Sequence, residues 1–278
     1  MIVSHKHRYV YVELPRTGSS AVSVELRENY DGHSFLFKHA TYRDFLRHAT
    51  PDERTYFVFS GLRNPLDVAV TRYTHLLEDT RGHFSEPEQV QMRSSVAGRL
   101  ERRLFRWVQK TNPDFETFLK HVYLLPFDTW SALDHKRMHA IIRFENLPDD
   151  FASVLRQLGL EPVRPLPVRN ATPGRERDYE SYYTPGAARV AARIFGPYME
   201  EWGYAFPSSW GPMQVPWRSR ILYRVARVFR TVYWRFFRYR DYVRMLPTRL
   251  YHPPERSRQD ASVDSLRPEE AVTQTKPS

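Results

Sequence analysis

Arg16, Thr17, Gly18, Ser19 and Ser20 stand between an apolar run, Tyr9-Val10-Tyr11-Val12, and an amphipathic segment that reaches Tyr30. That order reads as strand, tight loop, helix. Backbone N–H groups at a helix start lack intrahelical acceptors, and the macrodipole adds roughly half a positive charge there, so a phosphate or sulfate oxygen can satisfy them. Gly18 lets the backbone come close, Ser19 and Ser20 add hydroxyl donors, and Arg16 adds a fork of guanidinium N–H groups. The same residues also describe an ordinary strand followed by a serine cap, with Arg16 a solvated charge, and the loop alone leaves both readings open. The Gly-Lys-Ser/Thr ending of a nucleotide-triphosphatase loop is missing, which disfavours an ATPase or a kinase.

The elements that would position such a loop follow one another in alternation. Phe35-Leu36-Phe37 is a candidate short strand ending at Lys38-His39, and Thr41 is the expected cap of a helix carrying Tyr42, Phe45 and Leu46. Thr55 to Leu62 is the strongest strand, aromatic and β-branched. It leads through Arg63-Asn64 to Pro65, which suits the first turn of a helix bearing Val68, Val70, Thr71, Tyr73 and Leu76. Residues 80–113 are polar and arginine-rich, an insertion expected to include a helix and to contact substrate. Helices are expected at 114–125, 149–158 and 187–202, with a strand at Ala140 to Phe144. The expected fold is α/β: a three-layer domain over residues 1–210, with a parallel sheet covered by helices on both faces. Ligands bind such sheets beyond the carboxyl ends of the strands, which brings Arg16, His39 and Arg63 to one edge.

The chain has 278 residues with 41% hydrophobic content, enough for one large core, and no apolar run long enough to span a membrane. No apolar leader precedes the first strand, so a cytoplasmic protein is expected. The absence of cysteine removes thiolate catalysis, disulfides and cysteine-based zinc sites. The net charge of +10 is unevenly placed: residues 1–216 carry 28 Lys and Arg against 26 Asp and Glu, residues 217–278 carry 14 against 6. A nearly neutral domain argues against nucleic acid as the partner.

Two motifs together resemble a family. LPRTGSS at 14–20 is similar to the 5′-phosphosulfate loop of sulfotransferases that use 3′-phosphoadenosine 5′-phosphosulfate (PAPS), and GLRNPLDVAVTRY at 61–73 resembles their 3′-phosphate motif. IIRFENLPDDFASVLRQLGL at 141–160 resembles a segment of the bacterial and carbohydrate branches, and the likeness spans about residues 8–206. The resemblance implies a P-loop-like phosphosulfate loop in which Arg16, Thr17, Gly18, Ser19 and Ser20 hold the sulfuryl end. Arg63 and Thr71 would hold the 3′-phosphate, the arginine bidentately. Taken singly, Arg63 also reads as a cap or ion-pair partner of the following helix.

The activity so implied is in-line transfer of a sulfuryl group from PAPS to a hydroxyl of a saccharide or glycolipid, without a metal. His39 is the candidate general base, since an ordinary histidine titrates near neutrality, and it matches a catalytic histidine of the carbohydrate 2-O-sulfotransferases; a strand-end histidine bonded to a carbonyl is the plainer alternative. His75, His83 and Glu145 are weaker candidates. Many relatives carry lysine at the position of Arg16, which stays protonated and so serves as charge rather than proton donor. NATPGR at 170–175, with Thr172 and Arg175, is a further candidate nucleotide contact. His135 and His139 have the i, i+4 spacing of metal ligands on a helix, but no carboxylate is placed as a third ligand.

From Trp217 the chain places Ile221, Val225, Val228, Val232, Phe236, Tyr239 and Val243 at three- and four-residue spacings, with arginines beside them. Such a basic amphipathic helix, over 217–250, suits an anionic membrane surface at the inner face of the membrane, or packing on the domain or a partner. Residues 253–278 are polar and read as a disordered tail. A catalytically inactive sulfotransferase-like scaffold that binds a membrane surface or a partner is the alternative to an enzyme.

Overall fold

The computed structural model describes residues 1–82, 84–86, 96–129, 132–166 and 178–236. Its centre is a five-stranded sheet of β1 (Ile2–Ser4), β2 (Tyr9–Val12), β3 (His33–Ser34), β4 (Phe57–Leu62) and β5 (Ala140–Arg143), in the order β3-β1-β2-β4-β5. Among the described residues there are eight α-helices: α1 (Ser19–Asn29), α2 (Tyr42–His48), α3 (Pro65–Glu78), α4 (Val96–Thr111), α5 (Phe115–Val122), α6 (Leu147–Gln157), α7 (Pro185–Trp202) and α8 (Trp217–Phe236). None of the described helices is long and apolar enough to cross a membrane.

The expected all-parallel sheet is corrected to a mixed one. β2 pairs parallel with β4, and β4 with β5, but β1 is antiparallel to both of its neighbours, β2 and β3. The cause is local: only His5 to Arg8 join β1 to β2, too few residues for a crossover, so the chain turns back as a hairpin with Arg8 at φ 53°. The second strand is His33–Ser34 rather than Phe35-Leu36-Phe37, because Phe35 is buried under α2 beside Phe45, at 5.8 Å between ring centroids. Since β2 and β3 both oppose β1, they run the same way. The carboxyl ends of β2, β3, β4 and β5 therefore share one edge, the edge on which the candidate residues were expected.

Alternation along the strands sorts the core. Tyr9, Tyr11, Phe59 and Ile142 pack with Val22 and Leu26 of α1 and with Phe151, Val154 and Leu155 of α6. Their neighbours Val10, Val12 and Val58 pack instead with Tyr42 and Phe45 of α2. A third cluster joins α3, α4, α5 and α7 through Leu66, Val70, Tyr73, Val108, Phe118 and Phe195. Fully burying an aromatic or aliphatic side chain stabilises by about 1.5–3 kcal/mol, so these runs commit both faces of β2 and β4 to a core.

The caps follow the sequence. Thr41 accepts from the Asp44 amide while Asp44 accepts from the Thr41 amide, a reciprocal capping box. Asn64 caps α3 by accepting from the Leu66 amide at 3.0 Å, with Pro65 at the first helical position. The expected helix over 217–250 is observed to Phe236, and its remainder, with the tail at 253–278, lies outside the described residues.

Candidate active site

The loop after β2 turns through residues 15–18 and delivers Gly18 as the residue before α1, at φ 72° and with no side chain capping the helix. Gly18 is required twice. A β-carbon there would stand 2.6 Å from Leu147 Cδ2 and 3.2 Å from Phe144 Cδ2, and φ in the left-handed region is costly for other residues. The loop also lies directly on β4: a β-carbon on Gly61 would meet Thr17 at 2.9 Å. Thr17 is accordingly buried, and its hydroxyl donates to the Leu14 carbonyl at 3.0 Å, closing the turn. The loop reaches the cleft beyond through Pro15 and Arg16, and α1 through its first turn at Ser19 and Ser20.

That cleft, of about 330 Å³, is walled by Arg16, Ser19, Ser20 and His39 together with Lys38, Arg72, His75 and Glu101. Five of the expected residues, with His75 the one from the weaker candidates, therefore meet around one space. Among the described residues, its wall does not include Thr17, Gly18, Arg63 or Thr71. Arg16 retains solvent-exposed surface, yet crowding by protein atoms pulls its proton affinity down, with Glu101 opposing and Arg72 and Arg63 adding to the effect. Water reaching the guanidinium screens these influences, so the group stays cationic.

Arg63 and Thr71 stand behind the loop. Arg63 is 9% exposed; its Nε pairs with Asp67 at 2.5 Å, Nη1 donates to the Arg16 carbonyl at 3.2 Å, and Nη2 donates to Thr71 Oγ1 at 3.0 Å. Its guanidinium also lies 4.1 Å over the ring of Phe144. Burial pushes it down to about 10, opposed by Glu145 and Tyr204, which leaves it charged at neutral pH. Thr71 donates in turn to the Asp67 carbonyl at 2.9 Å. The ion pair with the following helix, one of the two readings of Arg63, is thus present, and the same contacts bring Arg63, Thr71 and the Arg16 backbone together.

His39 occupies the left-handed region at φ 67°, as Arg16 does at φ 65°. Its Nδ1 lies 3.2 Å from the carbonyl oxygen of Glu13, which assigns the proton to Nδ1 and the lone pair to Nε2. Burial lowers its pKa from the ordinary 6.5, with Glu13 opposing and Lys38 reinforcing, so the imidazole is neutral at pH 7.

The other candidates serve the scaffold. Glu145 accepts from the Asn64 amide at 2.6 Å and pins the start of α3. His135 Nε2 lies 3.1 Å from the Gly61 carbonyl, and His139 Nδ1 accepts from the Val58 amide at 2.9 Å. The two histidines do not share a helix, since residues 135–137 form one 3-10 turn and 139 leads into β5. Among the described residues no cluster of three His, Cys, Asp or Glu side chains is arranged to hold a metal. His83 and the 170–175 segment with Thr172 and Arg175 lie outside the described residues.

Sequence reasoning missed Arg72, Glu101 and Lys38 as cleft residues. Arg72 follows Thr71 directly, and Glu101 falls on α4 within the 80–113 insertion. A second cleft of about 370 Å³ shares Ser20 and Lys38 with the first and is completed by Ser23, Arg27, Ser34 and Phe37 among others. At its base the Glu13 carboxylate accepts from Ser23 Oγ at 2.5 Å and pairs with the Met1 ammonium. Comparison with protein families, with characterised proteins and with solved structures finds no match to this chain.

Proposed function

We propose that the protein is a PAPS-dependent sulfotransferase acting on a hydroxyl of a saccharide or glycolipid. The observation that carries this reading is one cleft holding a helix start without a side-chain cap, the cations Arg16, Lys38 and Arg72, and a neutral histidine with its lone pair on Nε2. Such a set suits a strongly anionic donor beside a neutral acceptor that must lose a proton. The left-handed backbone at both Arg16 and His39 is further support, since strain of this kind collects where side-chain placement matters. The two clusters fed by alternate strand residues support a three-layer arrangement, and the turn at 15–18 a P-loop-like role.

When bound, PAPS supplies an activated sulfuryl group whose leaving group is a phosphate. Arg16 and the amides of residues 17–20 hold that end and offset the charge that builds on the departing oxygen. His39 Nε2 takes the acceptor proton as the acceptor oxygen bonds to sulfur and the sulfur–oxygen bond to phosphate breaks. The second cleft, reached across Ser20 and Lys38, is where the acceptor approaches. On this reading Arg63 meets the 3′-phosphate through the two N–H groups not already given to Asp67, the Arg16 carbonyl and Thr71, while Thr71, whose hydroxyl donates to the Asp67 carbonyl, holds the guanidinium in place. No step in this scheme calls for a metal.

The pairing of Arg63 with Asp67 favours the second reading, a sulfotransferase-like scaffold without activity. Calorimetric titration with 3′-phosphoadenosine 5′-phosphate separates the two. Saturable binding by wild type, weakened in Arg16→Gly, supports the enzyme; a folded wild type that binds no nucleotide overturns it.

A further inference from the structure

Helix α8 docks with the face that periodicity would not have chosen. Ser219, Tyr223 and Ala226 are buried, with Tyr223 donating to Glu201 at 2.5 Å and Arg230 to the Pro126 carbonyl at 3.1 Å. Arg220 pairs with Glu200 of α7 at 2.6 Å, and Arg227 pairs with Glu201. The aliphatic stripe points elsewhere: Ile221, Val225, Val228 and Val232 are all exposed, Val228 at 63%, and so are Trp217 and Phe229, at 63% and 71%. At 100° per residue these side chains span a broad arc on the side opposite Tyr223 and Ala226. Packing of that stripe on its own domain, one of the readings of the sequence, is not what holds the helix.

We infer that this face of α8 docks in the plane of an anionic lipid surface. The helix carries arginine at 218, 220, 224, 227, 230 and 235 and no acidic residue, so its charge complements a negative headgroup layer. Arg218 and Arg224 are exposed, the first within the apolar arc and the second at its border, where guanidinium groups meet phosphates while the apolar chains enter the acyl boundary. Trp217 and Phe229 place aromatic rings at the two edges of the same face, as an interfacial helix requires. The docked face fixes the helix to α7, so the apolar arc is presented already folded. The inference is independent of the proposed activity, because the surface shares no residue with the clefts.

The test is co-sedimentation of the full chain with vesicles of phosphatidylcholine alone and of phosphatidylcholine with an equal part of phosphatidylglycerol, at low and raised salt, without nucleotide. Val228→Glu/Phe229→Glu alters only exposed positions, and matched thermal unfolding shows that its fold is retained. Wild type is expected to prefer the anionic vesicles, to release partly at raised salt, and to lose roughly tenfold or more of its binding in the double variant. A wild type that leaves anionic vesicles in the pellet alone overturns the inference, as does equal binding by both proteins. Light scattering covers the competing occupant: a dimer that the double variant dissociates, without vesicle binding, would assign the face to a second copy of the chain and reject the membrane.

Discussion

The Arg63 guanidinium donates to the carbonyl oxygen of Arg16 at 3.2 Å while its Nε pairs with Asp67 at 2.5 Å. One cation thereby ties the loop after β2 to the first turn of α3. The candidate anion loop is held from behind by a residue of the second motif, so the two motifs form one mechanical unit.

Replacing Arg63 therefore affects stability first. Arg63→Ala leaves Asp67, 6% exposed, without this cation, and the cost of breaking a buried pair is about 3–5 kcal/mol. Arg63→Lys returns the charge but cannot reach Asp67, the Arg16 carbonyl and Thr71 together, and should recover only part of the loss. Denaturant unfolding midpoints of the three proteins check this, and equal midpoints would refute the tie.

Arg16→Gly separates stability from binding. The substitution removes an exposed charge and relieves a left-handed backbone at φ 65°, while the unfolded chain gains freedom; the two changes leave stability within about 1 kcal/mol of wild type. Affinity for 3′-phosphoadenosine 5′-phosphate should fall roughly ten- to hundredfold, the worth of a charge-assisted contact. Unchanged affinity would remove Arg16 from the site.

Under the proposed activity, His39 sets the acid side of the pH profile. Burial lowers its pKa below 6.5, so the basic form persists to lower pH and the acid limb of kcat/KM should lie below 6.5. The sign for stability is the same: the unfolded chain binds the proton more readily, so the contribution of this residue is full above 6.5 and is lost as pH falls below it. His39→Asn should cost about a hundredfold or more in rate and abolish that limb. A variant that keeps the limb would transfer the role to another group.

Gly18→Ala tests the fit of the loop against the residues after β5. The left-handed backbone and the 2.6 Å approach to Leu147 together should cost about 2–4 kcal/mol. Shortening the neighbour in Gly18→Ala/Leu147→Ala should return some of the loss, and thermal unfolding of the single and double variants measures the coupling.

What the sequence disclosed followed from how much side chain each element commits to the core. β2 and β4 are legible because aromatic and β-branched residues fill both of their faces, and β5 because two adjacent isoleucines mark it. β1 and β3 are three and two residues long, too short for a period, and β3 is exposed and polar, so only pairing to β1 defines it. The loop, His39 and Arg63 were visible as residue types at strand exits. Arg72 was not, because whether Thr71 or its neighbour faces the cleft depends on how α3 is rotated against α4 and α7. On α8 the valine stripe suited either a membrane surface or packing on the domain, and two glutamates of α7, unreadable as partners from sequence, gave the packing role to the other face.

The clamp on residues 14–18 also orders events during folding. Its jaws are Gly61 and Arg63 at the exit of β4 and Phe144 and Leu147 beyond β5, which come from far along the chain. Ser60 must reach the Val12 carbonyl, and Glu145 the Asn64 amide, before those jaws exist. Closing such distant parallel pairings is the slow part of assembling a sheet. A chain refolding from denaturant is expected to order residues 14–18 only in that last phase, and the growing chain would lack that order until the segment after β5 had been synthesised.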